Sequence, residues 1–82
     1  MLSFVGENMK TIVDLEIGET AKIINMDQLP LRLRNRYLDL GIAPGSYVKL
    51  INKVNFQRLY IIDIDDVELC LRKKDAQKII VE

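Results

Sequence analysis

The chain of 82 residues contains no histidine and no tryptophan, and it has one cysteine, Cys70. Histidine is the usual proton carrier near neutral pH, and with cysteine it provides the preferred ligands for iron and zinc. One cysteine cannot form an internal disulfide, whereas small domains of oxidising compartments usually carry several. We therefore predict a cytoplasmic protein that is not an enzyme and binds no cofactor.

Long apolar runs and an excess of one charge are missing as well. No stretch approaches the roughly 18 apolar residues of a membrane-spanning helix, and the N-terminal segment lacks the basic and apolar regions of a secretion signal. The 12 lysines and arginines are balanced by 12 aspartates and glutamates, so no net positive charge favours phosphates or anionic lipids. We expect no nucleic-acid partner and no insertion into a membrane.

What is present indicates one globular domain. Apolar residues make up 49% of the chain and charged residues 29%, a normal balance for a domain of this size. Met9 offers a second translation start beside Met1, and patterned sequence follows it at once. We predict a flexible extension over residues 1–8 and a folded domain over residues 9–82.

Period-two alternation of apolar residues predicts five short strands. They are Ala21–Met26, Tyr47–Lys53, Leu59 to Asp63 or Ile64, Glu68–Arg72 and Ile80–Val81. Pro30 and the good helix formers of Leu31–Leu40 predict a helix that ends at Gly41, and Lys73–Lys78 predicts one further helical turn. These elements indicate a small, mainly β barrel with one inserted helix.

Three segments carry a family likeness. Met9–Glu19 is a short apolar lead that ends in Gly-Glu, Arg36–Gly45 reads Arg-Tyr-Leu-Asp-Leu-Gly-Ile-Ala-Pro-Gly, and Leu69–Arg72 precedes apolar residues at Ala76, Ile79 and Val81. In this order they resemble the ferrous iron transport protein A (FeoA) family. The resemblance covers residues 9–82 and implies an SH3-like five-stranded barrel with one inserted α-helix and a short C-terminal helical turn.

The resemblance also implies a role. FeoA proteins are accessory or regulatory partners of FeoB, the ferrous iron transporter, so we expect contact with the cytosolic portion of such a transporter. The alternative is a stand-alone metal-responsive module like the SH3-like C-terminal domain of metal-dependent repressors. Weak self-association is left open. The chain departs from the family's pattern at Tyr37, at Asp66 and in the loop Asn55–Gln57.

Four residues are candidates for contact with the partner. Arg36 and Tyr37 belong to the segment that resembles the family's most distinctive motif. Phe56 and Arg58 lie in the polar loop between the second and third predicted strands, where turn chemistry does not require an aromatic residue. Two interpretations of Phe56 stay open: a lid that folds back on the core, which we favour slightly, and an exposed interface anchor.

The remaining charged and reactive residues have mainly structural interpretations. Asp63, Asp65, Asp66 and Glu68 are weak candidates for a hard cation, although hairpin formation explains them better. Cys70 lies between Leu69 and Leu71, which favours a small buried apolar residue. The basic residues Arg32, Arg34, Arg36, Arg72, Lys73, Lys74 and Lys78 are interpreted as solvated charges, with a shared basic patch as the alternative.

Overall fold

The computed structural model describes residues 9–82, so the predicted extension Met1–Asn8 lies outside the described residues. Within that range the chain forms six strands, two α-helices and one 3₁₀ turn. In chain order they are β1 Lys10–Thr11, the 3₁₀ turn Ile12–Asp14, β2 Thr20–Asn25, α1 Leu31–Asp39, β3 Tyr47–Val54, β4 Leu59–Ile64, β5 Val67–Arg72, α2 Lys73–Ala76 and β6 Ile80–Val81.

The strands form one antiparallel sheet in the order β1-β6-β2-β3-β4-β5. The mainly β prediction is confirmed, and the structure adds β1, whose two residues are too few to show alternation in a sequence. Within residues 9–82, β1 and β5 each pair with one neighbouring strand, so the sheet order has two ends. The last strand, β6, lies between β1 and β2 and brings the two ends of the domain together.

The alternation in the first half of β3 and in β4 places every second side chain in the core. Val48 and Leu50 of β3 and Tyr60, Ile62 and Ile64 of β4 are buried, as their spacing predicted. The core is completed by apolar residues of the 3₁₀ turn, β2, β5 and the C-terminal segment, among them Ile12, Leu15, Ile23, Leu71 and Ile79. Each such side chain contributes about 1.5–3 kcal/mol by leaving water.

Helix α1 ends as the sequence predicted, in a Schellman motif around Gly41. The Gly41 N–H donates to the Leu38 carbonyl at 3.0 Å and the Ile42 N–H donates to the Tyr37 carbonyl at 2.9 Å. This geometry requires the left-handed backbone that glycine adopts readily, and Gly41 has φ +91°. The motif turns the chain back so that Ile42 enters the core.

Helix α1 buries few of its side chains against the rest of the domain. Tyr37 is its one buried side chain and Leu33 packs against the core, whereas Leu31 and Leu38 of the helix and Leu40 after it are exposed. One apolar face of α1 therefore extends beyond the part that packs against the domain, and a groove opens beside it.

Candidate functional site

A groove of about 500 Å³ separates α1 from β5 and α2. Its apolar lining comes from both sides: Leu33, Tyr37 and Leu40 on α1 and at its end, and Leu69 and Leu71 on β5. The α1 residues follow the spacing i, i+4, i+7, which puts them on one helical face. This apolar face forms one wall of the groove.

The charged lining of the groove is mostly positive. Arg36 projects from α1, Arg72 ends β5, and Lys74 and Lys78 follow in and after α2. Among the described residues that line the groove, Asp75 carries the opposite charge. Four members of the predicted basic set therefore converge on one surface, which agrees with the alternative interpretation of a shared basic patch.

Not every arginine of α1 belongs to this surface. Arg34 Nη1 donates to Asp27 Oδ1 at 3.1 Å. The Arg34 charge is therefore paired with a carboxylate in the segment that precedes α1. Arg32 lines a smaller neighbouring depression with Leu33 and Arg36. Because Arg32, Arg34 and Arg36 are two residues apart, they point in different directions around the helix. Of these three, Arg36 lines the groove.

Tyr37 forms part of the floor of the groove. Its burial, and next the negative charge of Asp75, raise the pKa of the Tyr37 hydroxyl above its ordinary value. Asp75 is itself buried. The phenol therefore stays neutral throughout the physiological range and contributes apolar area and a hydroxyl to the site.

Cys70 also lines the groove, and the prediction that it is buried is wrong. Successive side chains of a strand point to opposite faces of the sheet. Leu71 points into the core and Leu69 packs against it, so Cys70 between them faces outward. Apolar neighbours in sequence indicated burial, but in a strand they indicate the opposite face.

The loop between β3 and β4 presents Phe56 to solvent. Its side chain is 94% exposed, so the interpretation as a lid on the core is wrong. Asn55, Phe56 and Gln57 have φ of 56°, 58° and 64°, three consecutive residues in the left-handed region. This backbone path directs Phe56 away from the core, and its contact with a partner stays a prediction.

The loop and the groove adjoin each other. The Lys73 N–H donates to the Arg58 carbonyl at 2.8 Å, and Leu59 lies opposite Arg72 in the sheet. Arg58 therefore lies beside the start of α2, whose residues continue into the groove. The structure places Arg36 and Tyr37 inside the groove, with Phe56 and Arg58 in the loop next to one end of it.

The four candidate acids surround the β4–β5 hairpin. Asp65 and Asp66 form its turn with φ of 52° and 67°, and Asp63 lies opposite Glu68 in the flanking strands. Asp66 thus takes a left-handed turn position of the kind that suits glycine. Within residues 9–82 no three acidic or cysteine side chains are grouped as a metal ion requires. Cation binding by these acids stays a prediction.

Comparison with known proteins identifies the family. A sequence profile described as the FeoA domain matches residues 10–82. The chain belongs to the FeoA family. The resemblance found in the sequence is thereby confirmed over almost the whole predicted domain. No curated protein matches the chain.

Solved FeoA structures have the same fold. FeoA from Chlorobium tepidum superposes with a TM-score of 0.84 at 20% identity, over 89% of this chain and 69% of that one. A zinc complex of FeoA from Stenotrophomonas maltophilia, described as a prokaryotic SH3 domain protein, gives 0.76 at 18% identity over 89% of both chains. The predicted SH3-like fold is confirmed.

The fold also occurs within larger proteins. A manganese-dependent transcriptional repressor gives a TM-score of 0.79 at 18% identity, over 90% of this chain and 41% of the repressor. In the part of the FeoA chain that the structure describes, no helix has the length and apolar character needed to cross a membrane.

Proposed function

We propose that this FeoA protein is a non-enzymatic, cytoplasmic accessory protein of ferrous iron uptake that binds the cytosolic portion of a FeoB-type transporter. The observation that carries the proposal is the family match over residues 10–82. The relative from S. maltophilia is itself described as a candidate ferrous iron transport activating factor. The FeoA family is thus associated with iron transport, and the transporter is the partner that this association favours.

The described surface supports a role in protein contact. Phe56 exposes 94% of its side chain in the loop between β3 and β4, and large aromatic residues and arginines are typical of the residues that dominate interface energies. Arg58 lies in that loop, and the groove with Arg36 and Tyr37 adjoins it. The two regions offer a partner an aromatic anchor at one end and an apolar, positively charged groove next to it.

Binding to the purified cytosolic domain of the transporter tests the proposal. Isothermal titration calorimetry with the FeoA protein, with and without guanine nucleotide and ferrous iron, is expected to show a saturable complex. A matched titration with an unrelated SH3-like domain controls for nonspecific contact. Absence of binding under all four combinations of nucleotide and metal overturns the proposal.

A second function is favoured by the likeness to metal-dependent repressors, one of which was solved with manganese. In that function the domain senses a divalent cation through Asp63, Asp65, Asp66 and Glu68. Titration of ¹⁵N-labelled protein with Mn(II) or Fe(II) is then expected to broaden the amide signals of these residues first. Uniform or absent broadening counts against this function. The control is the double variant Asp65→Asn and Asp66→Asn, in which the selective broadening should be lost.

A further inference from the structure

The outer edge of β5 has backbone groups that point away from the sheet. The hairpin turn Asp65–Asp66 is flanked by the pair Ile64 and Val67, and the register continues without a bulge to Leu59 and Arg72. In such a hairpin the pair next to the turn exchanges hydrogen bonds, and every second pair after it does so again. The Lys73 N–H donates to the Arg58 carbonyl at 2.8 Å. This bond fits the alternation, because position 73 follows 67, 69 and 71 as a residue bonded across to β4.

It follows that Glu68 and Cys70 direct their N–H and C=O groups toward the free edge. Among the described residues, no strand pairs with that side of β5, and no other backbone group bonds to Glu68 or Cys70. Six residues of regular strand without proline or bulge are a template for another strand. Proline and bulges are two of the features by which natural proteins protect sheet edges.

The groove runs along this same edge. It is lined by four consecutive β5 residues, 69–72. Because successive side chains point to opposite faces, a groove over one face would contact the side chains of alternate residues only. Contact with all four places the groove beside the strand, with α1 as its opposite wall.

The charge of the groove selects the occupant. Arg36, Arg72, Lys74 and Lys78 line it, and Asp75 is buried at its base. An acidic segment is attracted to this surface, whereas a basic one is repelled. Leu40 at the end of α1 and Leu69 on β5 provide apolar contacts for every second side chain of an extended peptide.

We infer that β5 accepts an extended, acidic segment of the partner protein as an added strand, with its backbone bonded to Glu68 and Cys70. Alternate side chains of the segment lie against Leu40 and Leu69 or beside the basic residues. This inference rests on the proposed function for the partner's identity and deepens it by naming the kind of segment that docks. Main-chain bonds provide affinity in this mode, and side chains provide selectivity.

The sharpest test is Cys70→Pro. Proline at position 70 removes an N–H that points outward and leaves the bonds between β4 and β5 in place, a position that edge strands tolerate. Cys70→Ala is the matched control, because it removes the thiol and keeps the N–H. Cys70→Pro is expected to bind the transporter's cytosolic domain roughly five- to tenfold more weakly than Cys70→Ala does.

A charge reversal provides a second variant that does not depend on strand geometry. Lys74→Glu places a negative charge in the groove, and Lys22→Glu makes the same change at an exposed position of β2 that does not line the groove. Only Lys74→Glu is expected to weaken binding and to reduce its dependence on salt. Circular dichroism establishes that each variant is folded.

A synthetic peptide tests the edge without the transporter. The probe has the six-residue length of β5 and alternates glutamate with valine, and its control carries lysine in place of glutamate. With ¹⁵N-labelled protein, the acidic peptide is expected to shift the amides of Glu68, Cys70 and Arg72, and the lysine peptide is not.

The outcomes separate the two proposals. If the transporter domain binds but Cys70→Pro and Lys74→Glu bind it as tightly as the natural chain, the docking mode is overturned and the proposed function stands. If the transporter domain does not bind and the acidic peptide still shifts the β5 edge, the edge accepts a strand and the proposed partner is wrong. If the peptide shifts other residues instead, the docking mode fails in either case.

Discussion

Phe56→Asn is expected to make the protein more stable and a poorer binder. Phe56 is 94% exposed and has φ of 58°, so its side chain contributes almost no buried area while its backbone occupies a region that bulky residues avoid. Asparagine tolerates that region better than most residues. We expect the free energy of unfolding to rise by about 0.5–1 kcal/mol, which raises the Tm by about 2–8 °C in a domain of this size.

Binding is expected to change in the opposite direction. If Phe56 anchors the partner, its loss weakens the complex with the transporter's cytosolic domain by about 2 kcal/mol or more, roughly 30-fold. Gln57→Asn is the matched control, because Gln57 has φ of 64° and the same substitution there relieves similar strain without removing an aromatic ring. Its stability is expected to rise as well, and its binding to stay unchanged.

Two measurements decide this prediction. Thermal and urea unfolding followed by circular dichroism report stability, and calorimetric titration reports binding. A loss of stability in Phe56→Asn contradicts the exposed position of the ring. Unchanged binding, with Gln57→Asn behaving in the same way, refutes its role as an anchor.

Three further predictions concern the fold. Ile62→Ala empties a fully buried position and is expected to lower the free energy of unfolding by about 2–5 kcal/mol in urea titrations; a similar loss in Val67→Ala, at a half-exposed position, contradicts this reasoning. Gly41→Ala introduces a Cβ that meets no atom within 4 Å, so a loss of about 1–2 kcal/mol from the backbone alone is expected, and Gly41→Asn should lose less. The hydrogen bond from Lys10 lowers the pKa of Glu19. The ionised Glu19 carboxylate therefore stabilises the fold above the ordinary pKa of 4.5, and this stabilisation is lost as the pH falls through the lowered value. In acid unfolding titrations, Glu19→Gln should lack this pH-dependent loss of stability.

Elements fixed by local chemistry could be predicted from the sequence. The strand over Leu59–Ile64 and the Schellman motif at Gly41 depend on alternation and on one glycine, and both were placed correctly. Such features need only neighbours along the chain, because the side-chain period and the backbone preference are properties of a short segment. The family likeness extended this to the whole domain.

The candidate site depends on residues that are distant in sequence. Arg36 and Lys74 meet in one groove only because α1 folds over toward β5. The exposure of Phe56 follows from three consecutive positive φ values. None of these three residues is a glycine, so the sequence gives no signal of this backbone path. The burial predicted for Cys70 is wrong because Cys70 alternates with Leu69 and Leu71 along the strand, and its side chain therefore lies on the opposite face. Each of these features is set by tertiary packing, which a local pattern does not contain.

The position of β6 between β1 and β2 has a consequence for the order of folding. Lys10 pairs with Val81, whereas β3, β4 and β5 follow one another and pair through short loops. Pairing of distant residues must overcome a larger loss of chain entropy and is therefore slower than pairing of neighbours. The β3–β4–β5 meander is expected to acquire protected amides early in refolding, with Ile80 and Val81 protected last. The pairing of β1 with β6 is then expected to form after the surface around Phe56.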